Sequence, residues 1–255
     1  MPILEKARRV VVTSWDDSTE SDVRLAGLLE RYRIKGTFFV ITKYVDHMIS
    51  VNDLISLSEK FEVGSHTISH PSLPGLDQSL LWKEIRGSKE NLEKILGHDI
   101  DSFAYPYGNY DESVVKVVKA AGYRCARTYD PYEFTQSEDA FSLKVGVWTD
   151  PHGLAYSRGL DNTLRLLRLA ATSLPANDFI STMVFLRNWV RLAKKLFDLF
   201  LERGFVYHLV GHAWQIDKRK EWGNLEDLLS YISDRREVEY MTLGEYSRLV
   251  YQTKA

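Results

Sequence analysis

The sequence predicts an α/β protein built on a parallel sheet, and two observations support this fold class. Short β-rich runs that end in Gly, Ser or Asp alternate with longer stretches in which apolar residues recur every three or four positions, as in repeated βα units. Strands that alternate with helices in this way are expected to pair in parallel. The chain of 255 residues is also long enough for one closed α/β barrel. No repeat or linker divides it, so we expect a single domain over residues 1–255.

The predicted elements alternate along the whole chain. Strands are expected at Arg9–Thr13, Gly36–Ile41, Phe61–Ser65, Ser102–Tyr105, Tyr123–Arg127, Lys144–Trp148, Phe205–Gly211 and Val238–Met241, with the segment Asp178–Val184 left open. Helices are expected at Ser21–Tyr32, Asp53–Lys60, Gln78–Leu96, Ser113–Ala121, Asp161–Ser173, Leu186–Arg203, Leu225–Ser233 and Thr242–Tyr251. The helix starts have capping side chains at Asn52–Asp53, Asp77 and Asp161, and the helix ends have Gly97, Gly122 and Gly204.

Composition and charge exclude several functional classes. The 33 basic and 35 acidic side chains give a net charge of −2, and the pI is near 6.4, so nothing favours nucleic acid or anionic lipid as a partner. Cys125 is the only cysteine, so any metal must be bound by His, Asp or Glu. The N-terminal segment lacks the apolar run of a signal peptide, and no stretch reaches the roughly 20 apolar residues of a membrane span. We therefore expect a cytoplasmic protein.

Chemically active residue types cluster just beyond the ends of predicted strands. Four groups lie there: Asp16–Asp17, His66 with His70, Tyr105–Gly108, and His212. In a βα barrel the carboxyl ends of the strands form the rim that holds the active site. Residues that are far apart in sequence are therefore expected to meet at one opening.

The acidic pair and the two histidines suit a cation site. Two adjacent carboxylates repel each other unless a cation neutralises one, which leaves one as a ligand and the other as a general base. His66 and His70 are four residues apart and can reach one ion if the segment turns helically. With one aspartate they would supply the three protein ligands of an open catalytic site. The alternatives are a solvated acidic turn and a polar capped turn.

These residues resemble a known family. The segments TSWDDS, GSHTISHPSL, FAYPYGNYD and LVGHAW follow, in this order, the motifs of the polysaccharide deacetylases, the NodB-homology group of metal-dependent carbohydrate esterases. The resemblance spans roughly residues 10–214. It implies a distorted (β/α) barrel of about seven strands and the hydrolysis of an N- or O-acetyl group, usually on an amino sugar.

The resemblance also implies residue roles. Asp17, His66 and His70 would bind one divalent metal ion, with zinc as the first choice and iron, cobalt or nickel as alternatives. Asp16 would be the general base for a metal-bound water, and His212 the general acid. The backbone N–H of Tyr107 would stabilise the oxyanion.

Two positions depart from the family pattern. Many relatives have an arginine at Ala104 that holds the catalytic base, and Arg127, at the end of a predicted strand, is a candidate replacement. The alternative is that Arg127 pairs with a surface acid. If it replaces the missing arginine, Arg127→Ala should reduce activity far more than stability. Relatives also often have an aspartate at Ala213, and Asp150 is a candidate to orient His212 in its place.

Aromatic residues flank the predicted chemistry, either as sugar contacts or as core packing. They are Trp15, Tyr105, Tyr107, Trp148 and Trp214. Trp214 is the best candidate for contact with the acyl methyl group or the sugar, whereas His208 is expected to be a satisfied interior residue. We therefore predict a deacetylase that acts on a small acetylated carbohydrate. The alternatives are an inactive carbohydrate-binding protein of the same fold, and a deacylase or amidohydrolase acting on a non-sugar amide.

Overall fold

The computed structural model describes residues 8–43, 47–129, 137–149, 188–203 and 206–252. Eight parallel strands form one sheet in this part of the chain: β1 (Val10–Asp16), β2 (Thr37–Val40), β3 (Glu62–Ser65), β4 (Ser102–Ala104), β5 (Cys125–Arg127), β6 (Val147–Trp148), β7 (Val206–Gly211) and β8 (Glu239–Met241). The helices of the same ranges are α1 (Ser21–Arg31), α2 (Val51–Ser58), α3 (Gln78–Leu96), α4 (Glu112–Ala120), α5 (Trp189–Arg203), α6 (Ala213–Lys218), α7 (Trp222–Ile232) and α8 (Leu243–Gln252).

The strands follow the order β5-β4-β3-β2-β1-β7-β6, and this seven-strand path curls into a half-barrel with helices packed around it. Strand β1 is central and all seven of its residues are buried. It pairs with β7 through Val10–Trp15, with β2 near its carboxyl end and with β8 near its amino end. The predicted distorted (β/α) barrel of about seven strands is confirmed.

The amino end of the sheet is covered by the C-terminal helix α8. The Leu243 N–H donates to the Thr37 hydroxyl over 2.9 Å, and the Gly244 N–H donates to the Glu62 carboxylate over 2.9 Å. These bonds join the start of α8 to β2 and β3. Helix α8 therefore lies over part of the amino end of the sheet, opposite the carboxyl ends of the strands.

Local signals set several element boundaries. The helix predicted at Gln78–Leu96 is observed with those limits, since the Asp77 carboxylate accepts from the N–H groups of its first turn and Gly97 ends it with φ 74°. The predicted cap of α2 was wrong, because Ser50 caps that helix through the Asp53 N–H. Strand β1 runs three residues beyond its predicted end, where it pairs with β2.

Some predictions concern residues that the structure does not describe. The helix Asp161–Ser173, the open segment Asp178–Val184, the cap Gly204 and Asp150 lie outside the described residues. The short helix α6, directly after β7, was not predicted. Within the described ranges no helix combines the length and apolar character needed to cross a bilayer.

Candidate active site

Strand register brings the predicted residues to one rim. Trp15 of β1 lies opposite Gly211 of β7, so Asp16–Asp17 and His212 leave neighbouring strands together. On the other side, Val40 of β2 pairs with Ser65 of β3, which places His66 just beyond that pair. Parallel pairing therefore gathers residues separated by up to about 200 positions, as predicted for the carboxyl ends of the strands.

Asp17, His66 and His70 form a compact set of potential metal ligands. One ligand atom from each lies within 4.8 Å of the others. The Nε2 atoms of His66 and His70 are 3.1 Å apart. Two nitrogens bound to one tetrahedral zinc at about 2.0–2.1 Å would be separated by about 3.3 Å, so the imidazoles already have a spacing that suits a shared cation.

The tautomer of His66 is fixed by the neighbouring strand. Its Nδ1 lies 2.8 Å from the Ala104 carbonyl oxygen, which can only accept, so Nδ1 carries the proton and Nε2 presents a lone pair. Burial lowers the pKa of His66, and it also lowers the pKa of His70. Both rings are therefore neutral near pH 7, the form in which imidazole binds a metal.

A buried acidic side chain that the sequence analysis missed holds the loop between these histidines. The Glu84 carboxylate of α3 accepts from the N–H groups of Ile68 and Ser69 over 2.9 Å each and from the Ser69 hydroxyl over 2.7 Å. A signal was present in the sequence, because Glu84 occupies the apolar face of α3 beside Leu81 and Ile85. A charged residue at such a position needs a specific partner.

Arg127 pairs with Asp16 and not with a surface acid. Both side chains are buried, and the Nη2 of Arg127 donates to the Oδ1 of Asp16. Ala104 of β4 lies directly opposite Arg127 of β5, so the guanidinium that binds Asp16 comes from the strand adjacent to Ala104.

The pairing controls the ionisation of Asp16. Burial by itself would raise the pKa of Asp16, but the Arg127 guanidinium, with smaller contributions from His66 and His212, lowers it to about 2. Asp16 is therefore a carboxylate near neutral pH. Complete burial of Arg127 also changes the expectation for Arg127→Ala, since removing the guanidinium would leave a buried charge and reduce stability as well as activity.

His212 faces both aspartates. Its Nε2 lies 4.0 Å from the Oδ2 of Asp16 and 3.8 Å from the Oδ2 of Asp17. Its Nδ1 is buried and has no hydrogen-bond partner among the described residues. The orienting acid proposed for it, Asp150, lies outside those residues, and Ala213 begins helix α6.

Three site residues have left-handed backbone conformations that are rare outside glycine. The φ angles are 77° at Asp17, 59° at His70 and 58° at Tyr107. Each such residue costs about 1–2 kcal/mol and persists only when its surroundings hold it. Tyr107 lies in a 3₁₀ turn, Pro106–Gly108, which the Gly108 N–H closes by donating to the Tyr105 carbonyl oxygen over 2.9 Å. Its ring packs edge-on against the His70 ring, with centroids 4.5 Å apart.

The aromatic residues separate into core and rim. Trp15 and Tyr105 are buried in the core. The Trp15 indole N–H donates to the Thr13 hydroxyl, and the Tyr105 hydroxyl donates to the Phe141 carbonyl oxygen. Trp214 lies at the rim, where its indole N–H donates to the Oδ2 of Asp17 over 2.8 Å. Trp148 is half-buried, and its ring is tilted by 32° against the Tyr129 ring, with the centroids 4.3 Å apart.

A groove of about 540 Å³ opens beside the potential metal ligands. Its lining residues include Asp17, His70 and Trp214, together with Met48 and Lys218. Its volume is within the range of about 300–1,000 Å³ typical of small-molecule sites. The chemical groups and the groove are thus adjacent.

Comparison with known proteins identifies relatives. A family model described as polysaccharide deacetylase matches residues 4–126. YxkH of Bacillus subtilis, named as a polysaccharide deacetylase, is 25% identical over 157 residues, which are 60% of this chain and 56% of YxkH. Peptidoglycan-N-acetylmuramic acid deacetylase PdaA of the same organism is 25% identical over 119 residues, which are 46% of this chain and 45% of PdaA. The chain thus spans about half the length of these curated relatives.

The fold is shared with a solved structure over nearly the whole chain. A protein from Mycobacterium smegmatis, described as a polysaccharide deacetylase, superposes with a TM-score of 0.68 over 99% of this chain and 93% of its own length. The two are 17% identical, so this likeness shows the fold alone.

Proposed function

Because this chain belongs to the polysaccharide deacetylase family, we propose that it hydrolyses an N-acetyl group on an amino sugar or a related small carbohydrate, with one divalent cation at the site. The observation that carries the proposal is the juxtaposition of Asp17, His66 and His70 within 4.8 Å of one another, next to the buried Asp16–Arg127 pair. A solvated turn would not account for this arrangement.

The donor set fits a metal ion. Two neutral imidazoles and one carboxylate form an open three-ligand site, which zinc accepts well and which also suits iron, cobalt or nickel. When bound, a divalent ion polarises an acyl oxygen and lowers the pKa of water towards about 7. We propose zinc as the first choice.

Asp16, Tyr107 and His212 would then each have a separate role in the hydrolysis. Asp16, kept ionised by Arg127, accepts the proton of the attacking water. Tyr107 offers its backbone N–H to the oxyanion that develops on the acyl group, a type of contact worth about 2.7–4 kcal/mol. His212, which faces the aspartates through Nε2, donates a proton to the nitrogen of the departing amine.

The substrate is proposed from the groove and the relatives. A space of about 540 Å³ beside the ligands suits a small saccharide, and Trp214 gives it an aromatic wall. The name of PdaA indicates an acetylated amino sugar of peptidoglycan as the substrate of that relative. A soluble fragment carrying one acetamido group is therefore the first compound to test.

Metal content and acetate release test the proposal together. The protein purified without added ions is analysed for bound metal and assayed for acetate released from N-acetylglucosamine oligomers. We expect one equivalent of metal and measurable acetate, and loss of both in His66→Ala. His98→Ala, which changes an exposed histidine, serves as the matched control. Acetate release that survives in metal-free His66→Ala would contradict the proposed mechanism.

Two alternatives predict other results. Ala104 and Ala213 favour an inactive carbohydrate-binding protein, which would bind metal and sugar but release no acetate from any amino sugar. The position of Arg127 beside Asp16 argues against this alternative, because it supplies a cation where the family's arginine is missing. A deacylase for non-sugar amides would release acetate from simple N-acetyl amines and not from the sugar oligomers.

A further inference from the structure

We infer that Trp214 is a positioning residue that sets the orientation of Asp17 for metal binding. The inference rests on the proposed metal site and goes beyond it, because the sequence suggests only a contact with the acyl methyl group or the sugar for this side chain. It identifies a role for the indole N–H that is separate from the role of the ring.

The hydrogen bond between Trp214 and Asp17 connects the ends of two strands. The Nε1–H of Trp214 donates to the Oδ2 of Asp17 over 2.8 Å, a normal length for a bond to a carboxylate. Asp17 follows β1 and Trp214 follows β7 in the first turn of α6, and these two strands pair along almost their whole length. The donor is therefore carried by a rigid part of the sheet.

The bond leaves one carboxylate oxygen for a cation. Oδ2 accepts from Trp214 and lies 3.8 Å from His212, whereas Oδ1 has no hydrogen bond to any described residue. Fixing one oxygen determines the direction of the other. Partners that orient a metal-binding side chain in this way typically contribute 10–100-fold to metal affinity.

Asp17 needs such support because its backbone is strained. Asp17 and Ser18 have consecutive left-handed conformations, with φ angles of 77° and 49°. Ser18 is held from the other side, where its hydroxyl donates to the Phe39 carbonyl over 3.3 Å and its carbonyl accepts from the Ile49 N–H over 3.0 Å. Within the described residues, Trp214 provides the one hydrogen bond to the Asp17 side chain.

Trp214→Phe tests the inference, because it keeps an aromatic ring in the groove and removes the N–H. Trp222→Phe is the matched control: the Trp222 N–H donates to the Asp217 carboxylate over 2.7 Å, a bond of the same kind to a residue outside the ligand set. Metal-stripped proteins are titrated with Zn²⁺ in competition with a chelator, and folding is checked by circular dichroism. We expect zinc affinity to fall 10–100-fold in Trp214→Phe and to stay within twofold of wild type in Trp222→Phe.

A second variant keeps the test decisive if Trp214→Phe folds poorly. Trp214→Leu removes both the ring and the N–H, whereas Trp214→Gln replaces the indole N–H with an amide N–H of similar reach. Trp214→Gln should therefore recover part of the zinc affinity lost in Trp214→Phe or in Trp214→Leu. Unchanged zinc affinity in all three folded variants would overturn the role of Trp214 while leaving the metal site intact. A wild-type protein that binds no zinc would instead overturn the proposed function, and the inference with it.

Discussion

Both ends of the sheet have acidic side chains, but the partners of these side chains differ. At the amino end, the Glu62 carboxylate accepts from the Gly244 N–H and from the hydroxyls of Thr37 and Ser102. Neutral donors of the protein therefore occupy both of its oxygens. At the carboxyl end, Asp16 is paired with a buried guanidinium, and Asp17 lies beside the imidazole rings of His66 and His70.

Glu62 therefore stabilises the fold, whereas Asp16 and Asp17 lie where we propose chemistry. Glu62 joins β3 to β2, β4 and α8 through hydrogen bonds to both of its oxygens, and it also lines a cavity of about 530 Å³. The carboxyl end has left-handed backbone at Asp17, His70 and Tyr107, and the buried Nδ1 of His212 there has no partner among the described residues. Unfilled bonding capacity and strain are concentrated where chemistry is proposed, as is common for functional sites.

The largest expected effect is on the buried ion pair. Arg127→Met should lower the free energy of unfolding by about 3–5 kcal/mol, because it leaves the Asp16 carboxylate buried without a counter-charge. Arg124→Met is the control: Arg124 lies just before the same strand and pairs with Asp101 at the surface, where a pair is worth about 0–1 kcal/mol. Urea unfolding measures both variants.

The double variant Asp16→Asn/Arg127→Met sharpens this result. Removing both charges should restore part of the stability lost in Arg127→Met, since the two changes act on one interaction and are not additive. If Arg127→Met and Arg124→Met cost the same, the buried pair has no special role in the fold.

A smaller effect is expected at the amino end. Glu62→Gln should lower the free energy of unfolding by about 1–3 kcal/mol, because an amide nitrogen would face donors that now bind a carboxylate oxygen. Zinc affinity and acetate release per folded molecule should stay at the wild-type level. Glu59→Gln, at the exposed end of α2, should change stability by less than about 0.5 kcal/mol. A loss of zinc binding in Glu62→Gln would contradict the assignment of metal binding to the carboxyl end of the sheet.

The smallest expected effect concerns a histidine in the interior. His208 of β7 is buried, with its ring nitrogens 2.8 Å from the Lys144 carbonyl and 2.9 Å from the Ser14 hydroxyl. Burial, with the nearby Arg127 charge, lowers the pKa of His208 to about 3. The unfolded chain, with a histidine pKa of about 6.5, therefore binds a proton that the folded chain does not. Stability from this source is complete above about pH 6.5 and falls as the pH decreases, by up to about 1.4 kcal/mol per unit.

His208→Gln should remove this part of the acid sensitivity. Unfolding free energies of wild type and variant are compared at pH 7.5 and pH 5.5, and the difference between the proteins should shrink or reverse at the lower pH. An identical pH dependence in both would show that His208 titrates in the folded state as it does in the unfolded chain.

Much of the fold and of the site could be predicted from local sequence signals. Helix α3 was placed correctly at both ends because Asp77 and Gly97 act within one turn of the residues they cap. The positions of Asp17, His66 and His70 after strand ends were enough to predict one rim, since parallel strands expose their carboxyl ends on one side. Helix α6 was missed because its six residues are too few for a clear apolar period.

The sequence by itself thus determined the alternation of elements and the residue types available at the rim, because hydrophobic period and caps depend on neighbours a few residues away. Tertiary structure alone decided which partner each polar side chain received. Arg127 reaches Asp16 across 111 positions, Trp214 reaches Asp17 across 197, and Glu84 reaches the loop after His66 from a different element. These contacts depend on strand order and register, which long-range packing fixes and which no local pattern records.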